Sequence, residues 1–274
     1  MTPPSVAFAA LPRLAFAGLF FFTLPGCDKG ASASPNDPES PKVAGAGVAS
    51  RVVQDPDPSE LAVLRAQYVR GDYAAVDQKS QPLVARLTGP RQARAAALSL
   101  AWRAMALAES MPERAKTPAE AALAKARGLE DDEVSQLTHI AQGVYLMRLT
   151  DHAGAQAEFD RALEYGYDSP NASLATLFRA ETLLNQAFGA DDRLVDGSKL
   201  VAAAGAYEEV VRNSGEAIVR GRALEALAAI SKENGDKAGV CGHASEAAAL
   251  YDKAMAAEFL KQGPVMLAAD ADCE

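Results

Sequence analysis

Aromatic side chains are scarce in this 274-residue chain, at 6%, with one tryptophan and only three histidines. That scarcity, set against a great deal of alanine, favours tightly packed helices, because alanine has the best helix propensity and lets backbones approach closely. Lysine and arginine do not cluster and the formal net charge is −9, which excludes the basic footprint of a nucleic-acid binder. No stretch reaches the roughly 18 consecutive apolar residues of a membrane-spanning helix. Strand-like alternation is missing too: apolar positions recur at steps of three and four, which argues for an all-α chain. None of the motifs G-x-S-x-G, H-E-x-x-H or G-x-x-x-x-G-K occurs, so no catalytic centre, metal or cofactor is expected. The histidines His139, His152 and His243 read as packing or surface residues, and the acidic run Leu129–Glu133 as a solvated stretch between helices. In the loop 191–198, Asp192, Asp196 and Gly197 match parts of a calcium loop. The match fails at Leu194 and at Ala203, where the bidentate glutamate belongs.

What the chain does have begins at its start. Leu14 to Leu24 is an apolar run preceded by Arg13 and closed by Pro25 and Gly26: the charged, apolar and small-residue parts of a secretory signal. Leu24-Pro25-Gly26-Cys27 resembles the lipobox of bacterial lipoproteins. That resemblance implies cleavage before Cys27, a diacylglyceryl group on its sulfur and an acylated amino terminus. Such a chain would be anchored in the cell envelope facing the periplasm. Asp28, next in line, resembles an inner-membrane retention signal, and the choice between inner and outer membrane stays open. The competing reading is cleavage after Ala31-Ser32-Ala33, giving a soluble periplasmic or secreted protein. Residues 28–58 contain Pro35, Pro38, Pro41, Pro56 and Pro58 among small and polar residues, too little apolar surface to fold, and read as a tether. The expected organisation is therefore signal 1–26, lipid-attachment cysteine and linker 27–58, helical domain 59–262 and C-terminal tail 263–274.

Helix starts are marked at Asp57-Pro58-Ser59-Glu60, Thr117-Pro118-Ala119-Glu120 and Ser169-Pro170. Between His139 and Pro170 lie Gly143, Ala155, Phe159 and Ala162, small residues where two antiparallel helices would cross and an aromatic beside them. This spacing resembles the tetratricopeptide repeat. The small–large–small step recurs as Ala203-Tyr207-Val210, Ala247-Tyr251-Ala254 and Ala119-Leu123-Ala126, and more weakly as Val76-Ser80-Leu83. The resemblance implies a right-handed α-solenoid of about five antiparallel helix pairs, with excess residues in loops at 111–116, 188–198 and 233–243. It also implies a concave groove for a protein or peptide partner, with Val144, Met147 and Arg148 as candidate contacts, though the first two suit core packing as well. The function so implied is a non-enzymatic envelope adaptor; the alternative is a small-molecule-binding component of a transport system.

Two cysteines remain beyond Cys27. Cys241 and Cys273 could form a disulfide in an oxidising compartment, stay as thiols, or contribute to a metal site that lacks a fourth ligand.

Overall fold

A computed structural model describes residues 54–273 apart from Pro56, Pro170, Ala190 and Asp192. The export signal, Cys27 and nearly all of the tether lie outside the described residues. Within them the chain is all-α, with no strand and one isolated bridge between Phe188 and Leu194. The helices are α1 (Glu60–Arg70), α2 (Tyr73–Arg86), α3 (Ala93–Ser110), α4 (Lys116–Ala126), α5 (Asp132–Arg148) and α6 (His152–Glu164). They continue with α7 (Ala172–Ala187), α8 (Gly197–Asn213), α9 (Ala217–Glu233), α10 (Lys237–Lys253) and α11 (Glu258–Asp270).

Each odd-numbered helix from α1 to α9 folds back against the even-numbered one that follows it, and these odd helices touch one another in turn. Three of the turns, α1–α2, α5–α6 and α9–α10, share a local rule. Gly71, Thr150 and Gly235 all have positive φ, and each is followed by an aspartate at the start of the next helix. Asp151 accepts a hydrogen bond from the Gly154 N–H and Asp236 from the Gly239 N–H, satisfying donors that a helix start leaves free. A Cβ at Gly154 or Gly239 would fall within 2.4 or 2.2 Å of the capping carboxylate, so only glycine lets that carboxylate fold over the first turn. The tetrapeptides Asp151-His152-Ala153-Gly154 and Asp236-Lys237-Ala238-Gly239 are thus one device used twice.

This device corrects the alignment of the small–large–small triplets. Phe159 lies eight residues after its cap Asp151, whereas Tyr251 lies fifteen after Asp236. Both aromatics nevertheless fill a glycine gap on the facing helix: a Cβ on Gly143 would meet Phe159 at 2.5 Å, and one on Gly221 would meet Tyr251 at 2.6 Å. In the longer α9–α10 pair, the close crossing has moved two helical turns away from the connection.

Several expected boundaries shift. Thr117 does not cap α4, which already begins at Lys116 and takes Pro118 into its first turn, where no intrahelical donor is needed. Residues 233–243 are not a long loop, because α10 starts at Lys237 and puts Cys241 in its second turn. The stretch expected as a tail from 263 is helical to Asp270.

The core follows the row of odd helices. Buried side chains occupy every side of α3, because α1, α2, α4 and α5 all pack on it, and its run of alanines allows that approach. The row also closes on itself. α1 touches α9, the Ala257 N–H donates to the Arg70 carbonyl at 2.8 Å, and the Phe259 ring sits against Gly71 and Tyr73. A small apolar cluster of Ile218, Tyr251, Ala256 and Leu260, with Val69 packed against it, seals this seam apart from the main core.

Candidate functional site

Where the odd helices face each other, the chain has placed charge. Glu109 in the last turn of α3, Arg148 at the end of α5, Glu181 in the middle of α7 and Arg222 in the second turn of α9 form a closed cycle of alternating sign. Arg148 donates through Nε and Nη2 to Glu109 Oε2 at 3.0 and 2.5 Å, and through Nη1 to Glu181 Oε1 at 2.7 Å. Arg222 Nη2 donates to Glu181 Oε2 at 3.3 Å and approaches Glu109 Oε1 at 3.8 Å. The guanidinium of Arg222 also lies 5.1 Å from the Phe178 ring centre, a cation–π arrangement. The charged residue stands in the last turn of α3 and of α5, in the middle of α7 and in the second turn of α9, so it slides back over the later helices.

Burial governs the electrostatics here. Burial alone would raise Glu181, but the facing Arg148 and Arg222 outweigh it and hold its carboxyl below the usual carboxylate range. Glu225, one turn beyond Arg222, is pushed up by burial, against the opposing pull of the Tyr251 hydroxyl that donates to it at 2.8 Å and of Arg222. The phenols of Tyr68 and Tyr73 are driven up by burial and by Glu109; Tyr207 is driven up by burial and by Glu181. At the cycle itself two carboxylates match two guanidiniums, so the charges neutralise one another. Chemically this arrangement registers four helices against each other, since each charge has partners only in this one alignment.

α1 covers this inner face. Its Arg65 donates through Nη1 to Asn171 Oδ1 at 2.8 Å and through Nε to Glu216 Oε1 at 3.1 Å, reaching the starts of α7 and α9. The same guanidinium stands 5.8 Å from the Trp102 ring centre on α3, and Tyr68 packs 5.4 Å from that ring. The chain's own first helix therefore bridges α3 to the starts of α7 and α9 across the inner face.

The residues singled out from sequence fall as follows. Val144 and Met147 are buried core positions of α5 and offer no surface to a partner, while Arg148 belongs to the charge cycle. Gly143, Ala155, Phe159 and Ala162 are buried, Ala203, Tyr207, Ala247 and Tyr251 are buried as well, and Ala254 is half-buried at the end of α10. Cys241 and Cys273 are joined in a disulfide with their Cα atoms 5.6 Å apart. Among the described residues no group of His, Cys, Asp and Glu is spaced to hold a metal ion. Asp196, considered for calcium, instead caps α8 by accepting from the Ser198 and Lys199 N–H groups. The acidic run at 130–133 is more than a solvated stretch: Asp131 caps α5 and, with Glu133 and Asp57, binds Arg94. His139 bonds Glu158 at 2.6 Å and stacks on Tyr165, and burial lowers His152 below the ordinary histidine range.

The charge cycle escapes a reading of the sequence because its members stand 39, 33 and 41 residues apart and carry no shared neighbours. Charge alone does not mark them either, since α3, α5, α7 and α9 each carry two or more charged residues. No family model, curated protein or solved structure matches this chain.

Proposed function

We propose that this chain is a lipid-anchored scaffold of the bacterial cell envelope, a right-handed solenoid of tetratricopeptide-like helix pairs that holds a protein or peptide partner. The observation that carries the reading is the pairing of a lipobox ending at Cys27 with a disulfide between the other two cysteines. Disulfides persist in oxidising compartments, and a signal followed by a lipid-acceptor cysteine and a proline-rich tether leads to one. Lipid on Cys27 anchors the chain, with each buried methylene adding about 0.8 kcal/mol, and the tether lets the helical domain stand off the membrane.

Stacked helix pairs bind partners on the face lined by their inner helices. In this reading the binding face is the one now covered by α1, and its polar features are Arg148, Arg222, Asn171 and Glu216. A partner helix bearing an apolar stripe and a guanidinium would reproduce what α1 offers through Leu61, Leu64, Arg65 and Tyr68.

Detergent-phase partitioning tests the anchor. The native chain enters the detergent phase and a Cys27→Ala variant stays in the aqueous phase; equal retention of the variant rules out lipid at that residue. Crosslinking in intact cells followed by purification from membranes tests the scaffold, and recovery of no protein above the background of an untagged strain rules it out.

A further inference from the structure

Both ends of α11 are fastened, and to different parts of the chain. Past its C-terminal end, Cys273 is bonded to Cys241 in the second turn of α10. At its N-terminal end, the Ala257 N–H donates to the Arg70 carbonyl, and Phe259 packs on Gly71 with its ring centre 6.0 Å from that of Tyr73. The intervening Leu260 joins Val69 of α1 in the cluster that seals the seam. α11 is thus a strap from α10 to the turn between α1 and α2.

α1 is the helix this strap holds down. Its N-cap residue Ser59 makes no side-chain cap bond. Two of its buried polar atoms, Gln67 Oε1 and the Tyr68 hydroxyl, have no hydrogen-bond partner. Buried polar groups without partners cost stability, so α1 sits on the inner face with part of its apolar gain offset.

We infer that α11 is a disulfide-held clasp whose release lets α1 leave the inner face. Cys241 and Cys273 are both half-buried, within reach of a small dithiol. One thiolate of the dithiol attacks a sulfur of the pair, giving a mixed disulfide and releasing the other cysteine as a thiolate. The second sulfur of the dithiol then displaces the remaining cysteine and closes its own disulfide. The two protons of the dithiol end on Cys241 and Cys273, which are reduced as the dithiol is oxidised. With that bond open, α11 keeps its packing on α10 and α9 and the Lys232–Asp270 and Lys261–Asp252 ion pairs but loses its covalent tie, the contacts of Ala257 and Phe259 loosen, and α1 lifts off Trp102, Asn171 and Glu216. The clasp concerns the chain's own closure and stands whether or not the uncovered face takes a partner.

Trp102, the one tryptophan of the chain and 4% exposed beneath Tyr68 and Arg65, is the reporter. Dithiothreitol added to the oxidised protein is expected to shift Trp102 emission to the red and raise its quenching by acrylamide, with far-UV circular dichroism retained. A Cys241→Ser/Cys273→Ser double variant does the same without reductant. Phe259→Ala, with the disulfide intact, produces the Trp102 change by breaking the seam instead. An unchanged Trp102 signal in the reduced protein overturns the clasp. So does a collapse of helicity on reduction, since the bond would then hold the whole fold rather than one strap. An unchanged signal in Phe259→Ala overturns the route through the seam.

Discussion

The guanidinium of Arg222 on α9 comes within 3.8 Å of Glu109 on α3, and that contact turns a chain of ion pairs into a closed cycle. Without it, α3, α5, α7 and α9 would be linked only in sequence; with it, the last is referred back to the first.

Removing one member leaves its partners charged and buried. Arg222→Ala leaves Glu181 and Glu109 to share Arg148 alone, one buried negative charge in excess, and the expected loss is about 3–5 kcal/mol, the range for breaking one partner out of a buried ion pair. Replacing all four charges by apolar residues of similar volume is expected to cost far less, because no uncompensated charge remains. Urea unfolding followed by circular dichroism separates the two cases.

Glu181 and Glu225 lie close together in the fold, yet they respond to pH with opposite sign. Glu181 is depressed below its ordinary 4.5, so its stabilisation is present above that value and is lost as pH falls through the lower folded value. Glu225 is raised above 4.5, so the folded state keeps a proton that the unfolded chain releases, and stability falls as pH rises from 4.5 through the raised value. At neutral pH, Glu181→Gln therefore destabilises, whereas Glu225→Gln leaves stability unchanged or higher, its amide oxygen still accepting from Tyr251. Thermal melts between acid and neutral pH read both effects.

Three glycines on helices give a test of packing against propensity. Gly143→Ala and Gly221→Ala drive a methyl into Phe159 and Tyr251 at 2.5 and 2.6 Å. Overpacking of that kind costs about 1–3 kcal/mol, more than the roughly 1 kcal/mol gained in helix propensity. Gly205, exposed in the middle of α8 with nothing near its absent Cβ, gains about 0.5–1 kcal/mol on the same substitution. Chemical denaturation of the three variants should give two losses and one gain.

The aspartate caps divide in the same way. Asp151→Ala and Asp236→Ala each remove a side-chain bond to a first-turn N–H, and each is expected to cost about 1 kcal/mol. Asp72 holds the matching position before α2 but makes no cap bond, so Asp72→Ala should stay within about 0.5 kcal/mol of the parent. Melting temperatures of the three single variants compare them directly.

Much of the helical character was legible because it is local. Apolar steps of three and four specify an amphipathic face wherever they occur, and Gly143 with Phe159 announces a close crossing from two residues alone. Register was less legible. The triplet around Tyr251 looks like the one around Phe159, yet it sits seven residues further from its cap, and only the Asp-x-Ala-Gly turns reveal the offset. Cap positions misled at Thr117, where proline is tolerated in a first turn as readily as before one.

The sequence by itself determined that the described chain is helical, since propensity and periodicity act over a few residues. It also carries Leu24-Pro25-Gly26-Cys27, on whose resemblance to a lipobox the proposed anchor rests. Only the tertiary structure decided what the inner face holds. Val144 and Met147 face the core rather than a partner. Arg148 finds Glu109 and Glu181 from 39 and 33 residues away, and α1 is seated over Trp102. Side-chain periodicity tells which face of a helix is apolar, but not which other helix will cover it. That choice depends on how successive pairs rotate about their axis, a sum of small angles that no single stretch of residues encodes.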